Sequence, residues 1–391
     1  MQPASISRHL SPWLLSLLGI ITFAQGAGAQ IIPPVNITGS DGTVITPQGN
    51  QFEITGGQLS GDGGNLFHSF PQFNLGDGQI ANFLTAPQIQ NILGRVTGGT
   101  PSWINGLIQV TGGNSNLLLM NPAGVIFGPN ASLNVPAAFT VTTANAVGFG
   151  HDTWFNAVGE NHWGSLVGTP REFRFDSLNP GTLVNSGNLA VGMGQSLTLL
   201  GGNVINTGTL TAPGGQITVM SVPGQNLVRL SQPGHLLSVE VTPIAETTVM
   251  DPLSLPELLT GGESQQDATG VRVIDGQVVL TASQTVIPSL AGTTVISGAV
   301  DAATTLGGMG GEINFLGNRV GVFDAQVNAS GTDGGGNIRI GGDYKGQGMI
   351  PNAQETVVNT DSTLRADALL AGNGGRVIIW ADHQTQFQGS S

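Results

Sequence analysis

The sequence contains no cysteine and few basic residues, and each absence removes a class of function. Without cysteine, the 391-residue chain has no disulfide, zinc–thiolate site or cysteine nucleophile. Eleven Lys and Arg stand against 24 Asp and Glu, which gives a net charge of −13, and Lys345 is the only lysine. A nucleic-acid binder needs a basic surface to counter the phosphates. We therefore predict no nucleic-acid partner.

Charged residues of both signs are scarce, and this argues against a helical protein. They make up 9% of the chain, whereas glycine occupies 61 positions. Each glycine inside a helix costs about 1 kcal/mol relative to alanine, and solvated helices need the Glu, Lys and Arg that are rare here. The hydrophobic fraction of 39% is too high for a disordered chain. The composition therefore predicts a folded, all-β protein.

Residues 1–29 have the pattern of a secretory signal peptide. Arg8 and His9 precede an apolar run from Trp13 to Phe23, and a stretch of small residues ends at Ala29. A membrane anchor is the alternative, but the run is shorter than the roughly twenty residues that span a bilayer. The pattern predicts cleavage after Ala29 and export.

Short segments recur along the chain with similar residues in similar places. Val184–Leu189 matches Ile205–Leu210 at an offset of 21 residues, which is close to one turn of a parallel β-helix. A looser motif joins a short strand to a second strand through a turn that ends in Gly-Gly. Its four copies cover Leu210–Val219, Val300–Phe315, Val327–Ile340 and Leu364–Ile379. Such repetition predicts a solenoid.

The repeats predict a single-stranded parallel β-helix. Alternation with period two turns one set of side chains inward and the other towards solvent, and Gly-Gly supplies positive φ at the corners. With rungs about 4.8 Å apart, a shaft of about 360 residues would rise roughly 70 to 80 Å. A glycine-rich β-sandwich is the alternative. A helical solenoid is weaker, because only Asp251–Leu259, within an acidic insertion near residues 240–270, suggests a helix.

The pentapeptide Asn121, Pro122, Ala123, Gly124 and Val125 has clear turn chemistry. Proline presets its own φ, glycine accepts a positive φ, and the asparagine side chain can bond the backbone two residues on. Alone, such a turn has little specificity. It lies, however, within a strongly alternating stretch from Ile89 to Thr143.

This stretch resembles the N-terminal secretion domain of the filamentous haemagglutinin family, in particular its cyanobacterial branch. These proteins are the exported partners of two-partner secretion (TPS) systems. The matching runs are RVTGG at Arg95–Gly99, LLLMNPAGVIFGPN at Leu117–Asn130 and GQSLTLLGGNVINTG at Gly194–Gly208. Ala123 departs from the family's Asn-Pro-Asn-Gly-Ile pentapeptide, and the second element, Asn-Pro-Asn-Leu, is not present in that form.

The resemblance implies a right-handed, pectin-lyase-like parallel β-helix with an N-terminal cap and extra-helical strands. It implies a secretion domain over residues 30–150, continuing β-helix repeats over residues 151–391 and an apparently shortened C-terminus. An outer-membrane transporter with periplasmic POTRA-type domains would recognise the secretion domain, with residues 121–125 as the secretion motif. The protein would then be secreted or held on the cell surface.

Motifs for catalysis or metal binding are missing. The six histidines form no His-Glu-x-x-His pair, and neither a Gly-x-Ser-x-Gly elbow nor a Walker A sequence occurs. The paired carboxylates that glycoside hydrolysis needs are not found as Asp-x-Asp or Asp-Asp. We therefore predict no enzyme activity, cofactor or metal.

These observations favour an adhesin or surface protein that acts as a monomer. Its ligands would be carbohydrates or proteins on a host or neighbouring cell. The alternatives are a TPS-exported haemolysin or contact-dependent toxin fragment, a structural envelope protein, and a β-helix enzyme that degrades polysaccharides.

Overall fold

The computed structural model describes residues 37–230, 239–243, 270–274, 277–281 and 292–391. The predicted signal peptide, the candidate helix at Asp251–Leu259 and most of the acidic insertion lie outside these ranges. Within the described residues, the helical segments are two 3-10 turns, Trp163–Ser165 and Tyr344–Gly346. Neither is long and apolar enough to cross a membrane. The prediction of an all-β protein is confirmed.

Thirty-four short strands make up the described structure. The strands up to the end of the fourth rung are β1 (Ile37–Ser40), β2 (Thr43–Gln48), β3 (Gln51–Gly56), β4 (Gln58–Leu59), β5 (Asn65–Phe73), β6 (Ile80–Leu84), β7 (Asn91–Val96), β8 (Ser102–Ile104), β9 (Leu107–Thr111), β10 (Asn116–Met120), β11 (Val125–Phe127), β12 (Ser132–Asn134), β13 (Phe139–Thr142), β14 (Ala146–Gly148), β15 (Trp154–Asn156), β16 (Glu172–Phe175), β17 (Thr182–Asn185) and β18 (Asn188–Ala190). The remaining strands are β19 (Ser196–Gly201), β20 (Asn203–Asn206), β21 (Thr209–Thr211), β22 (Gln216–Ser221), β23 (Asn226–Leu230), β24 (Val239–Pro243), β25 (Gly270–Ile274), β26 (Gln277–Thr281), β27 (Thr293–Asp301), β28 (Glu312–Leu316), β29 (Arg319–Asn328), β30 (Asn337–Ile340), β31 (Glu355–Val358), β32 (Thr363–Arg365), β33 (Arg376–Ile379) and β34 (Gln384–Phe387).

One face of the stack is a ladder of nine parallel strands, here called the first face. The order is β5, β7, β10, β13, β19, β22, β28, β30 and β33. Eight intervals of about 4.8 Å give a rise of about 38 Å. The predicted rise of 70 to 80 Å is therefore too large for the described residues, because strands β14, β15, β16, β23 and β24 leave the stack for a separate sheet.

Each turn of the β-helix is here called a rung. The strands on the other two faces of the rungs belong to one 16-stranded sheet. They are continuous because β27 and β29 each turn a corner and pair with two strands of the rung below or above. The corner of β27 is at Gly298, where φ is 82°, and a Cβ there would lie 2.5 Å from the Gly208 carbonyl oxygen. Glycine is therefore required at this position.

The repeats seen in the sequence stack in register. Val184 pairs with Ile205, and Leu189 pairs with Leu210. The second strands of the four looser copies also pair residue for residue, as Gln216, Glu312, Asn337 and Arg376. The predicted parallel β-helix is confirmed, and the β-sandwich alternative is wrong.

Antiparallel strands cap the N-terminal end of the stack. Strand β1 runs antiparallel to β5, and β2 and β3 form a hairpin whose second strand pairs in parallel with β6. Ile54 and Phe83 from these strands are fully buried at the end of the interior core. The cap that the resemblance implied is therefore present.

A second core lies outside the first face. Strands β15, β14, β16, β23 and β24 form, in that order, an antiparallel sheet, here called the side sheet. It covers outward-facing residues of the first face, including Leu118, Met120, Leu200 and Met220. The expectation that outward side chains face solvent is wrong here, because the side sheet buries them.

Candidate recognition site at the Asn121 corner

Residues 121–124 form the turn between β10 and β11, where the chain leaves the first face. The turn is stacked between two neighbouring rungs. Ser102 lies on one side, and its backbone N–H donates to the Gly124 carbonyl at 3.0 Å. Gly181 lies on the other side, and its N–H donates to the Pro122 carbonyl at 3.2 Å. We call these stacked turns the Asn121 corner.

Asn121 is fully engaged in this corner and only 1% exposed. Its side-chain amide donates to the Thr100 carbonyl and to the Ser102 hydroxyl, each at 3.0 Å. Its side-chain oxygen accepts a hydrogen bond from the Ala123 N–H at 3.0 Å. The expected bond from asparagine to the backbone two residues on is confirmed. Because both amide donors are used within the protein, the folded chain offers no free donor of Asn121 to a partner.

Gly124 and its neighbour Gly181 keep the rungs close together. Gly124 has a φ of 124°, and its N–H closes the turn by donating to the Asn121 carbonyl at 3.0 Å. A Cβ on Gly181 would lie 2.5 Å from the Pro122 oxygen and 2.6 Å from the Gly124 nitrogen. Such distances require the backbone to shift.

The remaining members of the pentapeptide differ in exposure. Val125 is fully buried in the interior core and pairs with Ser102 and Leu183 on the adjacent rungs. Pro122 and Ala123 are half-buried. The structure thus brings all five predicted residues into one corner, but only Pro122 and Ala123 retain accessible surface in the pentapeptide's turn.

Sequence reasoning missed a second centre of contacts at Arg95. Its guanidinium donates to Ser69 Oγ, to the carbonyl oxygens of Asn156 and Gly159, and to Asp41 Oδ2, at 2.8 to 2.9 Å. The side chain is 5% exposed. Arg95 therefore ties the cap, the first face and the residues around β15 together. In the sequence, Arg95 stood out only as the first residue of the RVTGG run, and that run does not indicate which distant residues Arg95 contacts.

One histidine and one carboxylate near Arg95 have shifted pKa values. Burial lowers the pKa of His68 to about 4, and its Nε2 has no hydrogen-bond partner. Hydrogen bonds from Ser69 and from Arg95 lower the pKa of Asp41. Within the described residues, no three His, Asp or Glu side chains lie close enough together to hold a metal ion.

Comparison with models of known protein families shows which family this chain belongs to. The sequence model of the TPS secretion domain family matches residues 29–251 of the chain. The chain belongs to the TPS secretion domain family. The match runs past residue 150 and includes all five strands of the side sheet. Whether the chain belongs to the cyanobacterial branch stays a prediction.

Two solved TPS secretion domains are similar to this chain. One is the HMW1 secretion domain from Haemophilus influenzae, with 20% identity, 91% of each chain covered and a TM-score of 0.47. The other is the filamentous hemagglutinin secretion domain, with 17% identity, 91% of this chain and 100% of that chain covered, and a TM-score of 0.36. No curated protein sequence matches.

Membership of the TPS secretion domain family fixes the general function. The chain is a right-handed parallel β-helix and an exported passenger of two-partner secretion. It crosses the outer membrane and is displayed on the cell surface or released. Its partner is the outer-membrane transporter of that system. TPS secretion domain families are not enzyme families.

Proposed function

We propose that the periplasmic POTRA-type domains of the transporter recognise residues 121–125 and β11 before the Asn121 corner closes. The folded corner supports this timing, because it already uses the hydrogen-bonding groups of Asn121. Before folding, the same groups and the backbone of β11 are free to bind a partner. The proposal therefore assigns recognition to the chain in transit.

The order of strand pairing along the chain supports the same mechanism. Strand β11 ends at Phe127, but the next strand that pairs with it, β17, begins only at Thr182. The intervening residues complete β12 and β13 and then form most of the side sheet. One edge of β11 thus stays unpaired until the chain has emerged as far as β17. An open strand edge is a site where another protein can add a strand through backbone hydrogen bonds.

A matched pair of asparagine variants tests this proposal. Asn121→Ala and Asn206→Ala each remove a buried corner asparagine that makes three side-chain hydrogen bonds. The mature chain, diluted from denaturant, is titrated with the purified periplasmic domains of the transporter. We expect Asn121→Ala to weaken binding at least tenfold, whereas Asn206→Ala binds as the parent does. Equal binding by both variants would overturn the assignment.

We also propose that the exported protein has no enzymatic activity and acts as an adhesin or surface protein. The fold supports this role, because stacked rungs form a rigid shaft that presents loops and the side sheet to the surroundings. The test is binding of the mature chain to host and neighbouring cells. Lysis of red cells would favour the toxin alternative instead, and cleavage of a polysaccharide would favour the enzyme.

A further inference from the structure

A cleft of about 180 Å³ lies on the outer side of the first face, beside the side sheet. Its floor is formed by β10, β13, β19 and β22, which are four consecutive rungs. Phe173 and Leu230 of the side sheet also line it, together with the exposed Arg171 that precedes β16. The cleft is separate from the Asn121 corner, which lies at the other end of β10.

The floor carries a row of three threonines whose hydroxyl groups form no hydrogen bond with the described part of the protein. Thr140, Thr198 and Thr218 pair in register on adjacent parallel strands, so they repeat along the stack at about 4.8 Å. Thr218 is 1% exposed and Thr198 is 8% exposed, yet none of the three hydroxyls has a hydrogen-bond partner among the described residues. None of the three hydroxyl oxygens is fully enclosed, so water or a ligand can reach them. These hydroxyls line a cleft that a polar ligand can enter.

More unpartnered polar groups line the cleft beside the threonines. Ser196 pairs with Gln216 two residues before the threonine row, and Gln195 is adjacent. No hydrogen bond satisfies these side chains within the described part of the chain. The apolar part of the lining comes from Leu230, which is only partly buried, and from the edge of Phe173, which is 3% exposed. The cleft thus combines groups that both donate and accept hydrogen bonds with one apolar wall.

Arg171 adds the only positive charge among the residues that line the cleft. It is exposed, and within the described residues it forms no ion pair. Its neighbour Arg174, in contrast, pairs with Asp176 at 2.9 Å. A free guanidinium at the edge of a polar cleft suits a carboxylate, which it can bind through two parallel hydrogen bonds.

We propose that this cleft binds an acidic oligosaccharide of two or three sugar residues. The sugar hydroxyls would bond the threonine row and the nearby amides, the apolar face of a ring would lie against Leu230, and a sugar carboxylate would pair with Arg171. The spacing of the row is comparable to the length of one sugar ring. A polyanion of higher charge density is disfavoured, because the whole chain carries −13 and the cleft has one cation. This inference deepens the proposed adhesin role and rests on it.

Calorimetric titration of the mature chain with trigalacturonate and with neutral cellotriose tests the proposal. We expect saturable binding of trigalacturonate and at least tenfold weaker binding of cellotriose. Thr140→Val, at the half-buried threonine of the row, keeps the shape of the side chain but removes the hydroxyl, and should weaken trigalacturonate binding about fivefold to tenfold. Arg171→Gln should weaken it about tenfold and leave cellotriose binding unchanged. Thr211→Val, on another face of the stack, is the matched control and should have no effect.

The outcomes separate this proposal from the adhesin role. If neither sugar binds, or if Thr140→Val and Arg171→Gln bind trigalacturonate as the parent does, the cleft proposal is wrong. If the parent binds cells and both variants do so equally well, adhesion stands and uses another surface. If the parent binds no cells at all but binds trigalacturonate with the expected losses in the variants, the adhesin role fails while the sugar site stands.

Discussion

Arg95 and Asp41 form an ion pair in which Arg95 Nη2 lies 2.9 Å from Asp41 Oδ2. Asp41 lies in the turn between β1 and β2 of the N-terminal cap, whereas Arg95 lies on the first face. The same guanidinium faces the ring of Trp163 at 5.3 Å. One side chain thus couples the cap to the segment that follows β15.

Replacing Arg95 with methionine should destabilise the mature chain by about 3 kcal/mol, because it leaves the Gly159 carbonyl without its donor and Asp41 without its ion-pair partner. The midpoint of urea unfolding measures this loss. Arg174→Met is the control, since Arg174 is more exposed and its pair with Asp176 is worth less than about 1 kcal/mol. Equal losses in the two variants would contradict the role of Arg95.

Gly181→Ala should destabilise the protein by about 3 kcal/mol, because the new Cβ meets backbone atoms of the Asn121 corner. Gly192→Ala is the matched control. Its Cβ would have its nearest neighbour at 3.7 Å, so we expect a change within about 0.5 kcal/mol. Thermal unfolding of both variants beside the parent measures the difference. A Gly181→Ala protein as stable as the parent would show that the two rungs can separate at little cost.

His68 should make stability depend on pH below neutrality. Its pKa is about 4 in the folded protein, against 6.5 in the unfolded chain, because burial penalises the charged ring. The unfolded state therefore binds the proton first as the pH falls. Stability is fully present above about pH 6.5 and is lost towards pH 4, by up to about 3 kcal/mol.

The test for His68 is the slope of unfolding free energy against pH between 6.5 and 4. The groups around the ring are the Thr43 hydroxyl, 3.3 Å from Nδ1, and the rings of Phe70 and Phe83, none of which titrates in this range. His68→Leu should flatten the slope whatever its effect at neutral pH. His151→Gln, at an exposed turn, should leave it unchanged. A slope that persists in His68→Leu would assign the dependence to other groups.

Asn206→Asp should cost about 2 to 3 kcal/mol. The amide of Asn206 donates to the carbonyl oxygens of Gly208 and Ser297, at 3.1 and 2.9 Å, and a carboxylate would face both without a proton to donate. Asn188→Asp makes the same chemical change at an exposed position and should be nearly neutral. Urea unfolding at pH 7.5 compares the two. A similar small effect in both would mean that the corner asparagines are not structural.

The sequence predicted the stack because each rung repeats a local pattern. The pairing of Val184 with Ile205 and of Gln216 with Glu312 follows directly from the recurring motifs. The turn chemistry of Asn121 was equally local, since its bond to Ala123 spans two residues. Such features depend on neighbours in the chain, which a single sequence shows.

The side sheet and the contacts of Arg95 could not be predicted in the same way. Leu118 and Leu119 look alike in the sequence, yet Leu119 faces the interior core and Leu118 the second core. Alternation places Leu118 on the outer side, but only a segment that returns to the stack from elsewhere in the chain makes that side a core. Asn156 and Gly159 reach Arg95 over 61 and 64 residues. No local spacing indicates partners so far apart.

The join between β22 and β28 has a practical consequence. Gln216 pairs directly with Glu312, and Val204 with Thr294, although dozens of residues separate the partners. The shaft therefore continues across this point as though nothing had been inserted, so the long connection is tolerated by the rungs on either side. Foreign peptides spliced between β24 and β27 should be carried out with the passenger, which makes this part of the chain a suitable position for displaying cargo outside the cell.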